Sequence, residues 1–173
     1  LVLPAWYKHG FCLTVGDRTR MLDELESGTT TTILVPNVMD MISHQDVNFN
    51  NMLVLCGASQ VHERHGLQAF RQNAREFVTA YGATEFGSPI MFRSWSSPEW
   101  YNPSFDLTNT IEDVSITFNR NNELCVEGPS LSYGIAHTHN TRDIFAVSGT
   151  TATFVGRSVE IVKVNGQAVC LPM

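Results

Sequence analysis

Three short apolar stretches in the first half of the chain restrict its fold more than any other feature. They are TTILV, MLVLCG and EFVTAYG, at residues 31–35, 52–57 and 76–82. Aliphatic, β-branched and aromatic residues predominate in them, as in strands that are buried on both faces of a parallel sheet. Because parallel strands are joined by crossover helices, the pattern predicts two successive β-α-β units.

The segments between these strands have the start and stop signals of helices. Pro36 opens a short helix through NVMDMISH, and Ser59 is the predicted N-cap of a longer helix in SQVHERHGLQAFRQNA. A further helix is predicted between Asp17 and Gly28, ahead of the first strand. We therefore expect an α/β fold with a parallel sheet and flanking helices in the first half.

From Ser88 onward the sequence changes to short strands separated by turns. The strand-like segments are PIMFRSW, EDVSITFN, ELCVEG, TRDIFAV, TATFVG and VEIVKV, and NRNN, SGT and NG are among the turns. This alternation is typical of a meander or a small barrel. The predicted organisation is an α/β subdomain over residues 1–87 and a small distorted β-barrel subdomain over 88–157.

Composition and charge exclude several classes of function. The 173 residues carry a formal net charge of -6, and the 11 Lys and Arg residues are scattered, which argues against a nucleic-acid partner. No apolar run reaches the ~18 residues of a membrane span, so we expect a soluble, cytoplasmic protein. The 4 cysteines form no C-x-x-C pair and are interpreted as reduced and buried.

The turn YGATE at residues 81–85 is the strongest candidate for a ligand site. It follows the third predicted strand, and ligands bind at the carboxyl ends of strands in open α/β sheets. Tyr81 offers a flat face for stacking, and Gly82 permits a tight bend. Thr84 and Glu85 offer oxygen atoms to phosphate and magnesium. These residues suit a nucleotide site, and an ordinary strand-ending turn fits them as well.

An ordered series of further segments resembles the ANL superfamily of adenylate-forming enzymes, which includes acyl-CoA synthetases and peptide-synthetase adenylation domains. LPAWYKHGF is similar to the family's Pro-x-x-His-x-x-Gly segment, TTTTILVPNVMDMI to its threonine-rich strand and helix, and LVLCGAS to its strand ending in Gly-Gly-Ala. YGATE matches Tyr-Gly-x-Thr-Glu. ELCVEGPSLSYGI, NTRDIF and FVGRSVEIVKVNGQAV resemble a barrel strand, the Thr-Gly-Asp segment and the approach to the mobile lid. The matches cover nearly the whole chain.

The resemblance implies a ligase that uses ATP to join a carboxylic acid to AMP. The acyl group then passes to a thiol of coenzyme A or a carrier protein, and ATP or AMP and Mg²⁺ are the implied cofactors. Amino-acid-activating members carry an early aspartate that PAWYKHGF lacks. The implied substrate is therefore a small aryl or alkyl acid without an α-amine.

The resemblance also implies that this chain is part of a larger enzyme. The family's phosphate loop would precede the proline-histidine segment, and residues 158–173 would contain the hinge and the start of the C-terminal lid domain. SGTTTT at residues 27–32 lacks the closing glycine of a phosphate loop. We expect the N-terminal subdomain and the lid, with its catalytic lysine, on the same or another chain.

Roles in the nucleotide site follow from the resemblance, residue by residue. Tyr81 would stack on the adenine, and the adjoining Gly82 is one of the implied cofactor-binding residues. Thr84 would contact the phosphate, and Glu85 would hold magnesium; these two are the implied catalytic residues.

Four other residues complete the implied site. Asp143 of TRD would accept hydrogen bonds from both ribose hydroxyls, and Arg157 would reach the ribose or phosphate as a charged donor. Gly57 and Ala58, which follow the preceding strand, would line the adenine and acyl pockets.

Several positions depart from the family pattern. Arg142 stands where glycine normally precedes the ribose aspartate, and Cys56 replaces the first glycine of Gly-Gly-Ala. Tyr7 occupies the register of the family's histidine, with His9 two positions later. These departures favour an alternative: a degenerate or split remnant of the same fold that serves as a non-catalytic binding or scaffold domain.

Two other groups of residues have the character of rival sites. The histidine pairs of VHERH and HTHN have zinc-ligand character but no evident third ligand, and are interpreted as solvated side chains. The aromatic stretch MFRSWSSPEWYNPSF suits a carbohydrate or peptide groove, and packing within the barrel is the preferred interpretation.

Overall fold

The computed structural model describes residues 30–87, 89–111, 113–129, 131, 137–164 and 167–172. The helix predicted between Asp17 and Gly28 and the segment LPAWYKHGF lie outside these residues. The chain divides into two compact units: residues through Thr79 with Ser94–Tyr101, and Ala80–Arg93 with Asn102–Met173. The predicted boundaries of 1–87, 88–157 and 158–173 stay predictions.

A parallel sheet organises the first unit. Its elements are β1 Thr31–Leu34, α1 Pro36–Ile42, β2 Leu53–Cys56, α2 Glu63–Arg71 and β3 Glu76–Gly82, and the sheet continues to β4 Pro89–Trp95 in the order β1-β2-β3-β4. β1 pairs in parallel with β2, and β2 with β3. The predicted β-α-β-α-β arrangement is therefore present.

Helix α2 begins later than the sequence predicts. Ser59 is exposed and lies outside the helix, and His62 is the N-cap residue. The backbone N–H of His62 donates to Nδ1 of His65, 3.0 Å away, and the His62 side chain accepts from the backbone of His65. This reciprocal pair satisfies donors at the start of the helix, which is the role that the sequence assigned to serine.

Aromatic residues complete the apolar core of the first unit. Phe49 and Phe77 are fully buried among aliphatic residues of the sheet and helices. The Tyr101 ring packs edge-to-face against Phe77, and it also lies where Gly66 of α2 has no side chain. Packing of the aromatic stretch within the barrel is a wrong prediction for Trp95 and Tyr101, which belong to the core of the first unit, and for Trp100, which is 77% exposed.

The second unit contains antiparallel strands. They are β5 Ser104–Asp106, β6 Ser115–Phe118, β7 Glu123–Glu127, β8 Thr138–Ser148 and β9 Thr151–Arg157, in the spatial order β5-β9-β8-β7-β6. A separate hairpin pairs β10 Val159–Val164 with β11 Gln167–Pro172. Phe145, Leu124 and Val126 form part of the apolar core of the second unit.

The predicted fold class, an α/β parallel sheet followed by short β-strands, is confirmed. Burial alternates in both sheets. Along β2, half-buried and buried residues alternate, and Ile33 of β1 is exposed, so β1 and β2 are not buried on both faces as their continuous apolar sequences predict. β8 likewise alternates buried and exposed residues around Asp143. Within the described part of the chain, no helix has the length and apolar character needed to span a membrane.

Candidate functional site

Three of the predicted site residues meet in the second unit. Asp143 on β8 lies directly opposite Arg157 on β9 in the antiparallel register. Residues paired in this way project from the same face of a sheet, so their side chains are neighbours. Tyr81, near the end of β3, contacts the same carboxylate.

Both carboxylate oxygens of Asp143 accept a hydrogen bond from this cluster. The Tyr81 hydroxyl donates to Oδ2 at 2.6 Å, and Nε of Arg157 donates to Oδ1 at 2.5 Å. Asp143 is 3% exposed, whereas the Arg157 side chain is 44% exposed. A buried carboxylate needs such partners, because an unpaired charge in this position would be strongly destabilising.

Arg142, the residue before Asp143, has a backbone conformation that is unusual for a residue with a β-carbon. Arg142 has φ 61°, in the left-handed region that glycine adopts at little cost. The N–H of Asp143 donates to Thr141 Oγ1, and the Thr141 hydroxyl donates to the carbonyl of Leu124, both at 3.0 Å. The chain thus keeps a glycine-like bend at the position where the ANL pattern has glycine.

The charges of the cluster reinforce its hydrogen bonds. Burial, followed by the hydrogen bond to Asp143 and its charge, raises the pKa of Tyr81, so the hydroxyl stays protonated and donates. The hydrogen bond to Asp143 raises the pKa of Arg157, which remains a cation. The charge of the Glu85 carboxylate also raises the pKa of Arg157.

Aromatic rings hold Tyr81 in place. Its ring packs edge-to-face with Phe145 at a centroid distance of 5.2 Å and with Phe105 at 6.0 Å. Both phenylalanines are buried. The orientation of the Tyr81 hydroxyl is therefore set by core packing as well as by its bond to Asp143.

Gly82, Thr84 and Glu85 follow Tyr81 along the chain. Gly82 is the last residue of β3, and a 3₁₀ turn at Thr84–Phe86 comes next. The left-handed residue of this connection is Gly87, with φ 67°, so the tight bend predicted at Gly82 lies further along. Thr84 is exposed and Glu85 is half-buried.

The sequence matches no protein-family model and no curated protein. Solved structures do match. E. coli MenE with a bound phenylether-linked analogue of OSB-AMS superposes with a TM-score of 0.72 at 20% identity, over 97% of this chain and 39% of that chain. The chain has the ANL fold.

Two further structures agree with this assignment. NpsA-ThdA, an artificially fused adenylation-PCP di-domain from Klebsiella oxytoca, gives a TM-score of 0.71 at 16% identity, over 90% of this chain and 35% of that one. Coronafacic acid ligase from Pectobacterium brasiliense gives a TM-score of 0.67 at 15% identity, over 96% of this chain and 38% of that chain. The chain therefore spans little more than a third of the length of these ANL-fold proteins.

The other predicted ANL positions, Gly57 and Ala58, belong to the first unit. Gly57 is buried after β2, and Ala58 is exposed with φ 70°. Cys56, at the end of β2, is fully buried. Burial, together with the charge of Asp40, raises the pKa of the Cys56 thiol to about 12, so the thiol is protonated at neutral pH.

The histidines that the structure describes have structural surroundings. The described residues contain no group of three or more His, Cys, Asp or Glu side chains that would hold a metal ion. His65 is fully buried, which overturns its interpretation as a solvated side chain. Its Nε2 lies 3.1 Å from Asp40 Oδ1 and its Nδ1 accepts from His62, so both ring nitrogens serve the fold.

Sequence reasoning missed the residues that hold Asp143 in place. Thr141 orients its backbone, and Phe145 packs against Tyr81. Thr141, Asp143 and Phe145 alternate along β8 and are all buried. That period of two, read outward from the aspartate, is a signal that the sequence did contain.

Proposed function

We propose that the polypeptide containing this chain is a ligase that uses ATP to adenylate a carboxylic acid. The substrate carboxylate attacks the α-phosphorus of ATP, forming an acyl–AMP bond and releasing pyrophosphate. The proposed second step transfers the acyl group to a thiol of coenzyme A or a carrier protein. The observation that carries this proposal is the meeting of Tyr81, Asp143 and Arg157, which come from three separate motifs, at one buried carboxylate.

Asp143 has the chemistry that ribose recognition requires. Hydroxyl groups donate to carboxylate oxygens, and charged acceptors form the stronger hydrogen bonds. Tyr81 and Arg157 now donate to these oxygens. We propose that ribose hydroxyls share or replace these donors, with Arg157 remaining paired with Asp143 and reaching the phosphate with its exposed guanidinium.

Magnesium fits the oxygen donors of the turn after β3. Mg²⁺ in nucleotide sites is held by one or two carboxylates together with phosphate oxygens, and not by an all-protein cage. Glu85 supplies one carboxylate, and Thr84 beside it supplies a hydroxyl. We propose that Glu85 holds Mg²⁺, which supplies positive charge to the phosphates, while Thr84 contacts a phosphate oxygen.

The names of the structural neighbours support the acid and the carrier as partners. One is an acid ligase, and another joins an adenylation domain to a PCP domain. We propose that Gly57 and Ala58 contribute to the adenine and acyl pockets, and that the remaining parts of the enzyme are supplied by the same or another chain. A cytoplasmic location is part of the proposal.

Acid-dependent ATP–pyrophosphate exchange by the complete polypeptide tests the proposal. Glu85→Gln removes the negative charge that would hold magnesium. Asp143→Asn removes the charged acceptor for the ribose hydroxyls. Glu85→Gln is expected to lower the exchange rate by about 100-fold or more, as for other losses of transition-state charge stabilisation. Asp143→Asn is expected to raise KM for ATP by about tenfold, the equivalent of roughly 1.4 kcal/mol.

Two neutralisations of exposed acids serve as matched controls. Glu99→Gln and Asp113→Asn remove the same charges at exposed positions, and asparagine tolerates the left-handed conformation of Asp113. Both variants are expected to keep wild-type exchange. Wild-type exchange in Glu85→Gln as well would contradict the assignment.

A non-catalytic remnant is the second candidate function. Each carboxylate oxygen of Asp143 already accepts a hydrogen bond from a protein side chain, and Arg142 places a long side chain beside it. In that case the complete polypeptide would bind AMP, measured by calorimetry, without any acid-dependent exchange.

A further inference from the structure

Glu123 is a nearly buried carboxylate close to the Asp143 bend. It is the first residue of β7, it is 8% exposed, and it pairs across the sheet with Ile144, the residue after Asp143. Its Oε2 accepts from Nδ2 of Asn119 at 2.6 Å and from Nδ2 of Asn140 at 2.8 Å. The Ser158 side chain is a third hydrogen-bonding partner.

Two of these partners also hold the backbone of Arg142. Oδ1 of Asn140 accepts from the Arg142 N–H at 2.8 Å, and the N–H of Ser158 donates to the Arg142 carbonyl at 2.8 Å. The Asn140 side chain therefore binds Glu123 with its nitrogen and Arg142 with its oxygen. Ser158 binds Glu123 with its side chain and Arg142 with its backbone N–H. One carboxylate thus connects the residue before Asp143 to the residue after Arg157.

The turn before Glu123 continues the same network. Oδ1 of Asn119 accepts from the N–H of Glu123 at 3.0 Å, and the carbonyl of Asn122 accepts from the N–H of Phe145 at 3.0 Å. Phe145 is the residue that packs against the Tyr81 ring. The network reaches both sides of Asp143 along β8.

Glu123 acts as a charged acceptor in this network. Hydrogen bonds from Ser158, Asn140 and Asn119 lower its pKa to about 2, with a smaller contribution from the charge of Arg142. The carboxylate is therefore ionised at neutral pH. Charged acceptors form stronger bonds than neutral ones, and removing this one would leave amide donors of the network unsatisfied.

We propose that Glu123 is a positioning residue of the nucleotide site, which fixes the left-handed Arg142 bend and so aligns Asp143 with Arg157. The inference rests on the proposed function, because it assigns Glu123 to the same site. A purely structural role would change stability alone. A positioning role also changes the affinity for ATP, since misplacing Asp143 weakens the contact with the ribose.

An exchange of groups between two residues tests this role. Glu123→Gln places an amide donor against Asn140, and Asn140→Asp places a second carboxylate against Glu123. Each single variant is expected to raise KM for ATP by about tenfold in the complete polypeptide, as for loss of one charge-assisted hydrogen bond. The double variant, Glu123→Gln with Asn140→Asp, restores one amide and one carboxylate and is expected to return KM to within about threefold of wild type.

Amide hydrogen exchange supplies a readout that does not depend on activity. The N–H groups of Arg142, Ser158 and Phe145 donate within the network, so Glu123→Gln is expected to lower their protection and the double variant to restore it. Glu127→Gln is the matched control, because Glu127 is exposed at the other end of the same strand. It is expected to leave both KM and protection unchanged.

The outcomes separate this inference from the proposed function. An unchanged KM in Glu123→Gln, when Asp143→Asn raises it, overturns the positioning role alone. Failure of the double variant to restore KM and protection also overturns it. If the wild-type polypeptide shows no ATP-dependent exchange while protection is lost and restored as expected, the proposed function fails and Glu123 still positions Asp143.

Discussion

Arg142 holds a backbone conformation that residues with a β-carbon seldom adopt. Its φ of 61° is maintained by the hydrogen bonds of its N–H to Asn140 and of its carbonyl to Ser158. The left-handed conformation costs a non-glycine residue about 1–2 kcal/mol, and the side chain itself is exposed. The strain lies one residue from the buried carboxylate, where backbone strain is often associated with function.

Comparison of Arg142→Gly with Arg142→Ala tests this strain. Both variants remove the charged side chain, but only glycine relieves the strain of the left-handed conformation. Because glycine also gains entropy in the unfolded chain, the net advantage of glycine over alanine is expected to be about 0.5–1 kcal/mol in the free energy of unfolding. Urea denaturation measures it. Equal stability of the two variants would contradict the strain.

At the scale of elements, helices α1 and α2 are joined by a polar contact. Arg64 donates to both carboxylate oxygens of Asp40 at 3.0 Å, and Nε2 of His65 lies 3.1 Å from the same group. Gln68 donates to the carbonyl of Met39 at 2.9 Å. The Arg64 hydrogen bond is the largest cause that lowers the pKa of Asp40, to about 2.

His65 is neutral in this contact. Its Nδ1 accepts from the His62 N–H, so the ring proton is assigned to Nε2, which donates to Asp40. Burial lowers the pKa of His65 below its ordinary value. Protonating Nδ1 would break the bond at the start of α2 and leave a charge in the core.

The stability of the protein is therefore expected to fall as the pH drops below about 6.5. There the unfolded chain takes up a proton at His65, whereas the folded chain does so only at lower pH. The unfolded state then binds more protons, so the free energy of unfolding decreases by up to about 1.4 kcal/mol per pH unit across that window.

Urea denaturation between pH 5 and pH 8 measures this dependence. The variant His65→Asn keeps an oxygen near the Nδ1 position and is expected to show a flatter pH profile than wild type. His44→Asn, at an exposed position, is the matched control and is expected to keep the wild-type profile. A profile that is equally steep in His65→Asn would assign the dependence to other groups.

At the scale of the whole molecule, the chain corresponds to little more than a third of the ANL-fold proteins that it resembles. Its two units have separate apolar cores. The Tyr81–Asp143–Arg157 cluster lies within one unit, so its geometry is a property of that unit. The proposed substrate choice and thiol transfer concern the complete polypeptide.

A panel of carboxylic acids tests the proposed substrate class. Pyrophosphate release by the complete polypeptide is expected with aryl or alkyl acids and to be at least about tenfold weaker with the matching α-amino acids. The physical reason is that a buried ammonium without a carboxylate partner costs several kcal/mol. A preference for α-amino acids would overturn this substrate class and leave the adenylation proposal standing.

The sequence by itself predicted the order of the elements apart from β5 and β11, and it named the three residues that meet at Asp143. β3 and β4 occur where their patterns predict them, Glu76–Gly82 and Pro89–Trp95. Hydrophobic periodicity is a local property, so it is legible without the fold. The motifs likewise named Tyr81, Asp143 and Arg157 before any coordinates placed them together.

Only the tertiary structure decided how these groups are used. The hydrogen bonds of Asp143 with Tyr81 and Arg157 depend on contacts between residues distant in sequence, as does the network of Glu123. The capping of α2 by His62 and His65 depends on competition between nearby caps. Burial gives these contacts their strength, because a polar group removed from water must find its partner within the protein. A local pattern such as the alternation along β8 indicates which residues are buried, but not which partners the buried polar groups meet.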